Sequence, residues 1–164
     1  MPSVPLRYLP ARLSRADKKK QAKMLLKSRK LYKTQNKYFT RKKVASFKSK
    51  PSSHVADARK LYKLEHIAPG KELAAATGCS LAALQKIVQK GEGAYFSSGS
   101  RPNQTAQSWG FARLASAVTG GKAAAVDYNI LAAGCNPKKT AFRLAKKARA
   151  QYGYGHGSTR KVKL

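Results

Sequence analysis

Apolar positions recur at helical spacing through most of the chain, with polar or charged residues between them. From Ser14 to about Lys33 there is no Gly or Pro. Ala16, Met24, Leu25 and Leu31 form a thin apolar stripe there, Ser14 suits an N-cap, and Asp17 suits the first turn. Pro51-Ser52-Ser53 is a break, after which Ser53 caps a short helix over 54–64 with Val55, Ala58, Leu61 and Tyr62 on one side. The stretch that follows Pro69 predicts a helix, a tight turn at Thr77-Gly78, a new N-cap at Ser80 and a second helix ending at Gly91. Leu73, Ala76, Leu84, Ile87 and Val88 are the inner faces of that pair. Further helices are expected over about 105–118, 122–133 and 137–150. Gly91–Thr105 is expected as a loop and the segment from Tyr152 onward as a flexible tail. Met1–Ser14, with Pro2, Pro5 and Pro10 between apolar residues, is expected as an extended strap.

Charge divides this pattern. The chain of 164 residues holds 35 Lys+Arg against 6 Asp+Glu, a net charge of +29. Residues 1–63 are net +18, residues 64–137 net +2 and residues 138–164 net +9. The expected fold is therefore mainly α. It has a compact helical core (64–137) with a helix-turn-helix-like hairpin, and long, extended basic arms at both ends (1–63 and 138–164). A compact monomer with this charge repels itself, so a counter-charged partner is expected: nucleic acid, an acidic protein surface or anionic lipid. The candidate contacts are Lys18, Lys19, Lys20, Lys23, Lys27, Arg29, Lys30, Arg41, Lys42 and Lys43. Aromatics are interleaved with the basic residues at Tyr38, Phe39 and Phe47. They can stack on bases, but the spacing matches no stacking module, and they read better as anchors that fix the arm by burial.

Catalytic chemistry finds little support. His54, His66 and His156 lie near no Cys, second His or paired carboxylate at ligand spacing, so no metal, cofactor or catalytic residue is assigned. Gly91-Glu92-Gly93 before Tyr95-Phe96-Ser97 is superficially similar to a loop of ADP-ribosyltransferases. No Glu follows Glu92 to serve such an enzyme, and no phosphate-cradling Gly-rich motif is present. Cys79 and Cys135 each stand beside a Gly in Ala-rich surroundings and are expected as small buried apolar residues rather than as a bridged pair.

Residues 72–90 resemble the lac-repressor type of helix-turn-helix. Ala74 is the small residue, Gly78 the turn, and Leu84 and Ile87 the later core positions. On that resemblance Ser80, Leu81, Ala82, Gln85 and Lys86 would face a major groove, with Gln85 and Lys86 able to read a base edge. The alternative is a helical hairpin that packs the core.

More broadly, Gly91–Leu131, Ser28–Lys33, Tyr38–Lys43 and the TGCSLAALQKIV unit resemble a family of uncharacterised small basic proteins of large nucleocytoplasmic double-stranded DNA viruses, including algal viruses. The resemblance implies a virion component and carries no catalytic residue. The first expectation is a non-enzymatic minor capsid protein on the inner side of the shell. Its arms would tie capsid proteins together or lie on an anionic inner membrane. The second is a virion core protein that binds or condenses double-stranded DNA. An RNA-bound protein of ribosomal type fits the charge equally well and is set aside only by the viral resemblance.

Overall fold

The computed structural model describes residues 2–155 and 159–164 and is mainly helical. His156, one of the three histidines considered for metal binding, lies outside the described residues. The helices are α1 (Arg15–Gln35), α2 (Ser53–Tyr62), α3 (Lys71–Thr77), α4 (Leu81–Ser97), α5 (Ala106–Val118), α6 (Lys122–Val126), α7 (Tyr128–Gly134) and α8 (Thr140–Tyr152). Two short strands, β1 (Ser3–Pro5) and β2 (Lys161–Lys163), pair antiparallel with Val4 opposite Val162.

The chain forms two compact units, whose limits differ from those read from charge. The first comprises Met1–Lys50, Glu92–Trp109 and Ser158–Leu164, and the second Pro51–Gly91 and Gly110–Gly157. Thus residues up to Lys50 of the segment expected as an extended basic arm belong to a compact unit. Val4, Tyr8 and Leu25 form one buried cluster, with Trp109, Val162 and Leu164 against it. Leu13, Met24, Val44 and Phe47 form another, with Phe39 against it. A short 3-10 turn, Leu6–Tyr8, follows β1, and the last residues form a strand rather than a flexible tail.

In the first unit α1 begins where Ser14 Oγ accepts from the Asp17 N–H at 3.1 Å. It ends at Asn36, in the left-handed region at φ 51°. The Asp17 carboxylate then accepts from the Ser46 N–H and hydroxyl, at 2.8 and 2.5 Å. These bonds hold that carboxyl below the usual carboxylate range. They bring the irregular segment 42–47 back onto the start of α1.

The second unit holds the larger core, in which Leu84, Ile87, Leu114, Val118 and Leu131 are fully buried. Its α3–α4 turn forms as expected. Gly78 adopts φ 76° after α3, and Ser80 Oγ accepts from the Ala83 N–H at 3.1 Å to cap α4. Two expectations fail there. The helix does not stop at Gly91 but runs to Ser97, because Gly91 serves a close helix crossing: a Cβ at this position would meet the Gly110 Cα at 2.6 Å. Cys79 and Cys135 form a disulfide. The Ser80 N–H donates to Gly134 O and the Asn136 N–H to Gly78 O, so the two cysteines face each other as an antiparallel bridge.

Candidate nucleic-acid interface

The amphipathic division of α1 sets the candidate interface. At 100° per residue, Gln21, Met24, Leu25 and Ser28 share one side and are buried. Lys19, Lys23, Lys27, Lys30 and Lys33 fall on the opposite side, within about a third of the circumference, and all five are exposed. From Lys19 to Lys33 this row extends roughly 21 Å along the helix axis. Lys33 belongs to the basic helix in sequence, but only the face geometry marks it as a contact residue. Lys20 is exposed and donates to Lys43 O at 3.1 Å, and Lys18 is half-buried. Lys42 and Lys43 are exposed beyond the helix.

Two expected contact residues are used differently. Arg41 is buried, which removes it from any surface patch. Its guanidinium donates to Ser28 Oγ at 2.9 Å, Tyr95 O at 2.8 Å and Ser100 Oγ at 2.9 Å. Burial lowers its pKa, and no carboxylate pairs with it among the described residues. Arg29 is half-buried and donates to Ser98 O at 2.8 Å and Ser3 O at 3.2 Å. It fastens the start of the chain and the end of α4 to α1.

The three expected arm anchors separate as well. Phe47 is buried and Phe39 half-buried, both within the first unit, with Lys27 Nζ 4.6 Å from the Phe39 ring centroid. Tyr38 is 68% exposed and anchors nothing by burial.

Ser80, which caps α4, and Gln85 and Lys86 on it are exposed, as a reading helix requires, and Leu84, Ile87 and Val88 face the core. The end of α7 lies against the start of this helix, since a Cβ on Gly134 would meet the Ala83 Cβ at 2.5 Å. Gly78 is crowded too: a Cβ there would meet the Lys139 side chain at 2.5 Å. The Gly134 contact falls on the buried Ala83, and Leu81, Ala82, Gln85 and Lys86 of the same helix stay exposed.

Charge compensation is sparse. Among the described residues the one ion pair joins Arg113 to Asp127 at 2.7 Å. The first unit carries 21 basic and 2 acidic residues, and the Asp17 carboxylate is engaged by Ser46. Among the described residues, no lysine of α1 forms an ion pair with an acid of the chain. Among the described residues no three His, Cys, Asp or Glu come together, and no helix is long and apolar enough to cross a membrane.

Comparison with known proteins gives one match. No curated protein and no solved structure matches the chain. The profile of a family of unknown function, DUF5824, matches residues 5–136, a stretch that runs from β1 through α7 and includes both cysteines. The chain belongs to that family.

Proposed function

We propose that this protein is a non-enzymatic nucleic-acid-binding component of a large double-stranded DNA virus particle, located with the genome. The observation that carries the reading is the row of exposed lysines on α1, opposite its buried face and, among the described residues, in no ion pair with an acid. A regular row of cations suits a regular row of phosphates, and binding would release the counterions condensed on the DNA. The viral source rests on the sequence resemblance described above.

The capsid-strap alternative needs free arms with aromatic anchors for a partner. Val4, Tyr8 and Phe47 are instead buried against their own chain. Of the three expected anchors only Tyr38 stays mostly exposed, so charge is the larger part of what the N-terminal region offers a partner. The α1 lysines are favoured over the exposed α4 residues Gln85 and Lys86 because they form a row of five cations, where that pair supplies one.

The test is duplex DNA binding as a function of salt. Affinity should fall steeply with rising salt. Replacing Lys19, Lys23, Lys30 and Lys33 by Ala should lower the slope of log K against log salt by about 0.9 for each phosphate that is no longer neutralised. Graded particle disassembly supplies the second arm. Co-release with DNA supports the proposal. Co-release with capsid proteins or membrane, or no binding to duplex at low salt, overturns it.

A further inference from the structure

The first unit carries an aromatic cluster that its core does not require. Tyr32 on α1 and Phe96 in the last turn of α4 lie nearly parallel, 11° apart with ring centroids at 6.4 Å. Tyr38 adds a third ring, 5.0 Å from Phe96 and 6.1 Å from Tyr32. The left-handed residue Asn36 turns the chain at the end of α1, and the Lys37 N–H donates back to Leu31 O at 3.0 Å. This reversal returns Tyr38 to the helix it has just left. Phe96 is half-buried and meets the buried Tyr95 edge-on at 5.0 Å, so packing accounts for it. Packing does not account for Tyr38, a large ring held on two others while mostly in water.

Tyr32 also lines an open cleft between α1 and the end of α4, together with Arg29, Lys30, Lys33, Ser97 and Ser98. Arg29 is occupied by backbone carbonyls, but Lys30 and Lys33 are exposed and belong to the lysine row of α1. One side of the cleft thus offers cations and hydroxyls, and aromatic faces continue from it through Tyr32.

We propose that this cleft and its aromatic edge form a subsite for single-stranded nucleic acid, with phosphates on Lys30 and Lys33 and a base stacked on Tyr38. Charge selects the polyanion, and the exposed ring selects a form whose base faces are free. A duplex hides those faces in its own stack, so the subsite adds to the duplex contacts of α1 only where strands are open. The inference rests on the nucleic-acid reading above but makes a separate demand, that bases and not only phosphates be bound.

The experiment compares three labelled probes of equal length by fluorescence anisotropy: oligo(dT), an abasic oligodeoxynucleotide and a duplex. The intact protein should bind oligo(dT) roughly tenfold more tightly than the abasic strand, the order expected for one stacked base. Tyr38→Ala should remove most of that preference and leave duplex affinity unchanged, while Tyr38→Trp should retain it. Because Tyr38 is mostly exposed, its truncation leaves the core intact. Equal affinity for oligo(dT) and the abasic strand, or an unchanged preference in Tyr38→Ala, overturns the subsite. Duplex binding that persists in either case leaves the broader reading standing, whereas failure to bind any of the three probes removes both.

Discussion

The backbone N–H of Arg41 donates to the phenol oxygen of Tyr95 at 3.0 Å, and the guanidinium of the same residue lies 3.8 Å from the centroid of that ring. Arg41 thus grips Tyr95 twice, and its remaining donors reach Ser28, Ser100 and the Tyr95 carbonyl. This planar fork joins α1, the segment after it and the end of α4. Replacing Arg41 by Ala or Lys should destabilise the protein by roughly 2–4 kcal/mol, because neither side chain can satisfy the buried acceptors left behind. Urea unfolding checks this. An unchanged midpoint in Arg41→Lys would mean that charge, rather than fork geometry, is what the site requires.

A second buried charge has the opposite arrangement. Arg113 Nε and Nη2 each approach an oxygen of the fully buried Asp127 carboxylate at 2.7 Å. Arg113→Ala leaves that carboxylate uncompensated and should cost about 3–5 kcal/mol. The double variant Arg113→Met with Asp127→Leu should recover most of the loss, and denaturant midpoints of the three proteins decide it.

The Cys79–Cys135 bond encloses a sequence separation of 56 residues. A loop of that length predicts a loss of up to about 4 kcal/mol when the bond is opened. Unfolding curves of the oxidised protein, the reduced protein and Cys79→Ser measure it. The reduced protein and the variant should agree with each other.

Tyr62 donates its hydroxyl to Val118 O, and burial pushes its pKa up. The ordinary phenol value is about 10. The shift therefore contributes stability that is complete below about pH 10 and is lost as the pH climbs from there toward the raised folded value. Tyr62→Phe should lose about 1 kcal/mol at neutral pH and should lack this alkaline decline. Stability measured from about pH 8 to pH 11 on both proteins tests the sign.

The helices were legible where local chemistry decides them. The run without Gly or Pro after Ser14 became α1, and Gly78 and Ser80 mark the turn between α3 and α4. What escaped depends on distant partners. Gly91 reads as a helix stop unless Gly110 is known to cross it. Arg41 sits in a run of basic residues from which only its burial separates it. The first unit was hidden because its core uses a few apolar residues scattered among lysines, such as Val4, Leu13, Val44 and Phe47, with no periodicity to join them. Of the candidate site, the lysines of α1 were visible as composition. The cluster of Tyr32, Tyr38 and Phe96 was not, since it joins residues 32 and 38 to a residue on another helix.

The pairing of β1 with β2 also dictates an order of events during synthesis. A ribosome delivers Ser3–Pro5 before any of the helices and Lys161–Lys163 only after α8 has been made. Residues 51–91 and 110–157, which constitute the second unit, are all translated in that interval. The nascent lysine-rich segment must therefore wait for its closing strand, and the second unit has all its residues before the first can be completed.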